Sequence, residues 1–112
     1  MAYLPQLFYI PMTSISATTL TGASYQIIGV PLPNPCSLIK IVNNSTVDVS
    51  ISTDGLTDMD IVPTGGFTLY DATANLPHSS DATLFPKNTQ FFVKGVAGTG
   101  SIYLVGLYIK QV

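Results

Sequence analysis

The sequence predicts an all-β protein, an antiparallel β-sandwich of jelly-roll type or, on the same alternations, of immunoglobulin-like type. Three observations carry that expectation. Residues 37–52, SLIKIVNNSTVDVSIS, alternate with the period of two of a half-buried strand: Val47, Val49 and Ile51 share one face, Asp48, Ser50 and Ser52 the other. Turn signals recur at Asn43-Asn44-Ser45, Asp54-Gly55 and Pro63-Thr64-Gly65-Gly66, and leave no room for a helix of ordinary length. The run 101–111, SIYLVGLYIKQ, is apolar on both faces, as befits a strand central between two layers or covered by another chain.

The elements follow in order. Residues 1–11, MAYLPQLFYIP, crowd Tyr3, Leu4, Leu7, Phe8, Tyr9 and Ile10 around Pro5 and Pro11, which forbid a helix and restrict pairing to a sheet edge. The stretch lacks a basic start and is far too short to span a bilayer, so it fits neither a signal peptide nor a membrane anchor. It reads as an extended arm over 1–12, folded onto its own sandwich or reaching a neighbour, ahead of a sandwich domain over 13–112. Residues 13–20 form a strand candidate, and 24–30 another after a Thr21-Gly22 turn. Pro31, Pro33 and Pro35 then make a rigid extended connection, expected to carry the chain from one sheet to the other.

The two halves of 37–52 meet at Asn43-Asn44-Ser45, and because Asn tolerates left-handed turn conformations they read as a β-hairpin. Strands are expected over 59–62 and 67–71. Residues 71–86 make the longest loop, with room for a helical turn near 71–75. Residues 90–96 and 101–111 read as a closing hairpin around Ala97-Gly98-Thr99-Gly100, with Gly106 marking a bulge.

Composition narrows the function classes. At 112 residues the chain is one domain, able to hide roughly 65% of its unfolded surface. Charged residues make up only 9%, against a usual ~25%. The cations are Lys40, Lys87, Lys94 and Lys110, the anions are all Asp, and the net charge is −2. Such weak colloidal repulsion suits a protein covered by partners or held in an assembly. Four dispersed lysines without arginine make no phosphate-tracking stripe, so nucleic acid is not an expected partner. Cys36, the lone cysteine, supports no internal disulfide and reads as a small buried hydrophobe.

No catalytic, cofactor or metal residue is assigned. Asp54, Asp58 and Asp60 lack the spacing and the bidentate Glu of a calcium loop. His78, Ser79, Ser80 and Asp81 hold the letters of a hydrolase triad, but four consecutive loop residues cannot align as one. Gly95, Gly98 and Gly100 precede no helix whose N-terminus could hold a phosphate. The N-x-S/T sequons at 43–46 read as turn chemistry.

The candidate partner-binding residues are aromatic and apolar. If Phe91 and Val93 point inward, Phe92 and Lys94 point outward, and the final strand exposes either its Tyr103 row or its Tyr108 row. Tyr3, Leu7, Phe8 and Tyr9 of the arm, with Phe92 and Tyr103 or Tyr108, then resemble the anchors that supply most of an interface's affinity. The competing expectation is that a loop or the arm covers them within one molecule. A carbohydrate- or receptor-binding sandwich is a rival, although its usual Trp or arginines are missing, and an enzyme is the weakest option.

The succession IVNNSTVDVSISTDGLTDMDIVPTGGFTLYD, then LFPKNTQFFVKG and AGTGSIYLVGLY, resembles small virion proteins of tailed bacteriophages over residues 37–109. Among these, size and all-β pattern are similar to the jelly-roll capsid decoration, or staple, proteins of epsilon15-like short-tailed phages. The resemblance implies a non-enzymatic protein made in the bacterial host cytoplasm and seated on the outer capsid surface of the virion. There it would bridge subunits of the major capsid protein, stabilise the shell and pair with a copy of itself, with no cofactor and no membrane. Small β-sandwich proteins of the phage neck or tail share the same look.

Overall fold

The computed structural model describes residues 5–71 and 85–111. They form β1 (Pro5–Tyr9), β2 (Thr13–Ser16), a 3-10 turn (Ala17–Thr19), β3 (Gln26–Ile28), β4 (Leu38–Ser45) and β5 (Val49–Ser52). The order continues with β6 (Asp60–Val62), β7 (Phe67–Asp71), β8 (Phe91–Lys94) and β9 (Gly100–Gln111). Two antiparallel sheets result: β1-β9-β4-β7, with β2 also on β9, and β3-β8-β5-β6.

The pairing is that of a jelly roll. Strand β2 pairs with β9, β3 with β8, β4 with β7 and β5 with β6, so the chain is one long nested hairpin. Folding that hairpin over brings β4 against β9 and β5 against β8, which closes the two sheets. An immunoglobulin-like order would not nest this way.

The inner faces meet in a core of Ile28, Ile39, Ile41, Val49, Ile51, Val62, Phe91, Val93, Ile102 and Leu104, all at most 2% exposed. Their spacing of two along each strand is the alternation visible in the sequence. The Pro31–Pro35 stretch does link the two sheets, running from β3 to β4, with Leu32 inside it fully buried.

Both expected hairpins prove to be corners. Residues 38–45 and 49–52 lie in different sheets, as do 91–94 and 100–111, so neither pair is hydrogen-bonded across its turn. At the first corner Asn43 occupies a buried inner position, where its Nδ2 donates to the carbonyls of Val47 (2.8 Å) and Val62 (2.9 Å). Its Oδ1 accepts from the Ser45 hydroxyl at 2.5 Å. A polar bracket inside the core turns the chain across the sandwich, where a hairpin would keep it in one sheet. At the second corner Gly98 sits against Thr46 and Val47, so that the two corners pack together.

Gly106 marks no bulge in its own strand, because β4 follows β9 without interruption from Leu38↔Leu107 to Ser45↔Gly100. The extra residue is opposite. Between Tyr9↔Leu107 and Thr13↔Leu104, the three residues Ile10, Pro11 and Met12 face only Val105 and Gly106. Ile10 donates its N–H to the Gly106 carbonyl at 2.9 Å, and its side chain lies where a Cβ on Gly106 would be, 2.8 Å away. Over Pro5–Tyr9 the segment read as an arm is therefore an edge strand of the chain's own sheet. The possible helical turn near 71–75, beyond Asp71, and the cluster His78 to Asp81 lie outside the described residues, as does Tyr3 ahead of β1.

Candidate interaction surface

The outer faces of the two sheets differ. On the four-stranded sheet, Phe92 points outward between Ile27 and Ser52, and the loop after β5 folds over it. Gly55, at φ 76°, lies flat on the Phe92 ring, where a Cβ would approach to 3.3 Å. Asp54 shapes that loop by accepting from the backbone N–H groups of Leu56 (2.7 Å) and Thr57 (2.8 Å), which holds its carboxyl well below the usual range. Asp58 accepts the Tyr25 hydroxyl and pairs with Lys94 at 2.9 Å, while the Lys94 ammonium sits 4.9 Å from the Tyr25 ring centroid. The Tyr25 hydrogen bond, then Lys94, lower the Asp58 carboxyl. Burial, and then Asp58, push the Tyr25 phenol up to about 12. The loop covers Phe92 and the Asp58–Lys94 charges are paired within the chain, while Ile27 and Ile61, each 58% exposed, remain open to solvent on the same side.

On the five-stranded sheet the outer face is bare among the described residues. Alternation from the buried Ile102 and Leu104 sends Tyr103, Val105, Leu107 and Ile109 outward on β9. Register brings Leu38, Lys40 and Val42 beside them from β4, Phe67 and Leu69 from β7, and Leu7 and Tyr9 from β1. Leu7 is 57% exposed, Tyr9 71%, Met12 63%, Phe67 63% and Leu69 48%. The 5, 12, 8 and 5 residues of β1, β9, β4 and β7, each taking ~3.4 Å along the strand and ~4.8 Å across it, give this face a projected area of roughly 500 Å². That is near the top of the ~300–600 Å² found for the largest apolar patch of a monomer.

The sequence-predicted residues divide among these surfaces. Leu7, Tyr9 and Tyr103 share the bare face. Phe92 lies on the other sheet under Gly55, so it and Tyr103 do not stand side by side. Phe8 and Tyr108 turn to the inner side and stack, with ring centroids 5.7 Å apart, Tyr108 against the core. Sequence reasoning missed Met12, Lys40, Val42, Phe67 and Leu69. The F-T-L alternation at 67–69 was the available signal, but without the strand order it does not say which face is core.

A cavity of about 280 Å³ opens at one end of the sandwich, lined by Ile51, Ser52, Thr53, Met59, Asp60, Tyr70, Phe85 and Phe91. The Tyr70 hydroxyl donates to Asp60 at 2.5 Å. That bond, then the Ile61 N–H, lowers the Asp60 carboxyl, while burial and then Asp60 push Tyr70 up to about 12. Both shifts run away from neutral pH, opposite to what general acid–base work requires. Asp54, Asp58 and Asp60 each serve a separate protein partner, and no cluster of three potential ligands forms among the described residues. Cys36 is buried, which pushes its thiol up, and its backbone pairs with Phe85 in both directions at 2.8 Å.

Comparison with protein-family models, with curated proteins and with solved structures finds no match.

Proposed function

We propose that this chain is a non-enzymatic structural protein of a bacteriophage particle that lays the outer face of its five-stranded sheet against the assembled capsid and stabilises it. The observation that carries the reading is the continuous apolar outer face of β1, β9, β4 and β7, which nothing among the described residues covers, whereas on the second sheet the central Phe92 lies beneath the Gly55 loop. The virion address rests on the resemblance over residues 37–109. The jelly-roll order, common to viral capsid domains and lectins, is consistent with it as a fold-level analogy.

Magnitudes favour a lattice partner. Burying roughly 500 Å² at ~25 cal/mol per Å² yields about 12 kcal/mol gross, and association costs about 4–15 kcal/mol. One copy therefore binds weakly. Many copies on one shell, bound only to the assembled state, still shift the equilibrium against disassembly.

Purified particles made by the genome that encodes the chain test this. The wild-type chain is expected among their proteins by mass spectrometry, and its presence raises the temperature at which they release DNA. Leu69→Asp, on an exposed edge strand, is expected to lower occupancy about tenfold, the effect of ~1.4 kcal/mol. Absence of the chain from the particles, or full occupancy by the Asp variant, would refute the proposal.

A further inference from the structure

On the four-stranded sheet, Lys94 and Tyr25 converge on one carboxylate, Asp58. The bare sheet carries the same two groups without the third. Lys40 pairs with Val105 and Val42 with Tyr103, so Lys40 and Tyr103 are diagonal neighbours on adjacent strands, ~7–8 Å apart and within reach of long side chains. Together with Met12, Val42 and Val105 they line a groove of about 410 Å³. The Lys40 ammonium and the Tyr103 hydroxyl have no hydrogen-bond or ion-pair partner among the described residues. Asp71, which lies on the same face, is already engaged.

A half-buried cation in the middle of an apolar face is costly to cover unless the covering surface brings an anion. We propose that the groove between β2, β9 and β4 receives an acidic side chain carried on an otherwise apolar extended segment of a partner protein. Lys40 and Tyr103 share its carboxylate as Lys94 and Tyr25 share Asp58. This rests on the bare face being the docking surface and adds the chemistry of what docks there.

The test titrates the full chain with a soluble strand peptide of alternating Val and Thr bearing one central Glu, and with its Gln and Lys counterparts. Backbone amide shifts report binding. The Glu peptide is expected to shift residues 38–45 and 100–107 and to bind about tenfold more tightly than the Gln peptide, as for a charge-assisted hydrogen bond. Lys40→Met should erase that preference, Lys40→Glu should transfer it to the Lys peptide, and Tyr103→Phe should reduce it. Equal binding of the three peptides, no binding by any, or a preference that survives Lys40→Met would overturn the proposal. Should Leu69→Asp still strip the chain from particles in that event, the docking face stands and only its acidic partner falls.

Discussion

At the scale of single residues, Asn43 does work that no apolar residue could do in its place. It ties three segments at once. Its side chain holds the carbonyls of Val47 and Val62, its N–H donates to Gly66 O at 2.8 Å, and its own carbonyl accepts from Gly65 at 2.9 Å. Asn43→Ala leaves the Val62 carbonyl buried without that donor, and the cost of an unsatisfied buried group is about 1–3 kcal/mol. Asn44 next to it is exposed on the outer face, so Asn44→Ala should fall within about 0.5 kcal/mol of wild type. Urea unfolding of the two variants checks this, and equal losses would show that the bracket contributes nothing. The same residue was legible in part. Ile39, Ile41 and Asn43 form one inward row, and a polar residue closing an apolar row is the mark of a buried bracket. Turn propensity hid it, because Asn serves hairpins and sheet-to-sheet corners alike.

At the scale of elements, strand existence was written in the alternation, and β7 falls on 67–71 as expected. Partner choice was not, since pairing is decided by which faces bury each other across the whole chain, which a local pattern does not contain. The candidate site shows the same division. The Tyr103 row is visible in β9 alone, whereas its neighbours Phe67 and Lys40 arrive only through register. Between β6 and β7, the Tyr70–Asp60 bond makes a pH prediction. Asp60 is lowered in the fold, so its contribution is present above the ordinary carboxylate value and is lost as pH falls through the folded one. Tyr70 is raised to about 12, so its contribution is present below the ordinary tyrosine value and is lost as pH rises through the folded one. Tyr70→Phe should therefore be less stable than wild type from about pH 5 to about pH 9, with the gap narrowing toward both extremes. A gap of constant size across denaturation curves from acid to alkali would contradict the assignment.

At the scale of the molecule, the nested pairing of β2 to β9 is complete without β1, which lies end to end with β2 along one edge of β9. Strand β9 runs on to Gln111 beyond its last pairing with β4 at Leu38↔Leu107, and there β1 is its paired neighbour among the described residues. Deleting residues 1–9 keeps Ile10 in the core and removes the Phe8–Tyr108 stack together with Leu7 and Tyr9 from the bare face. The shortened chain should still unfold in one cooperative transition, destabilised by about 2–3 kcal/mol for the lost half-buried aromatic and its ring pair. It should also become prone to self-association, because the edge of β9 is uncovered. Since Phe67, Leu69, Val42 and Val105 remain, its retention on heated particles should fall without vanishing. Retention equal to wild type would remove β1 from the proposed docking surface. Loss of all cooperative structure would instead make residues 1–9 part of the folding unit, and the boundary at 12–13 would no longer separate an arm from a domain.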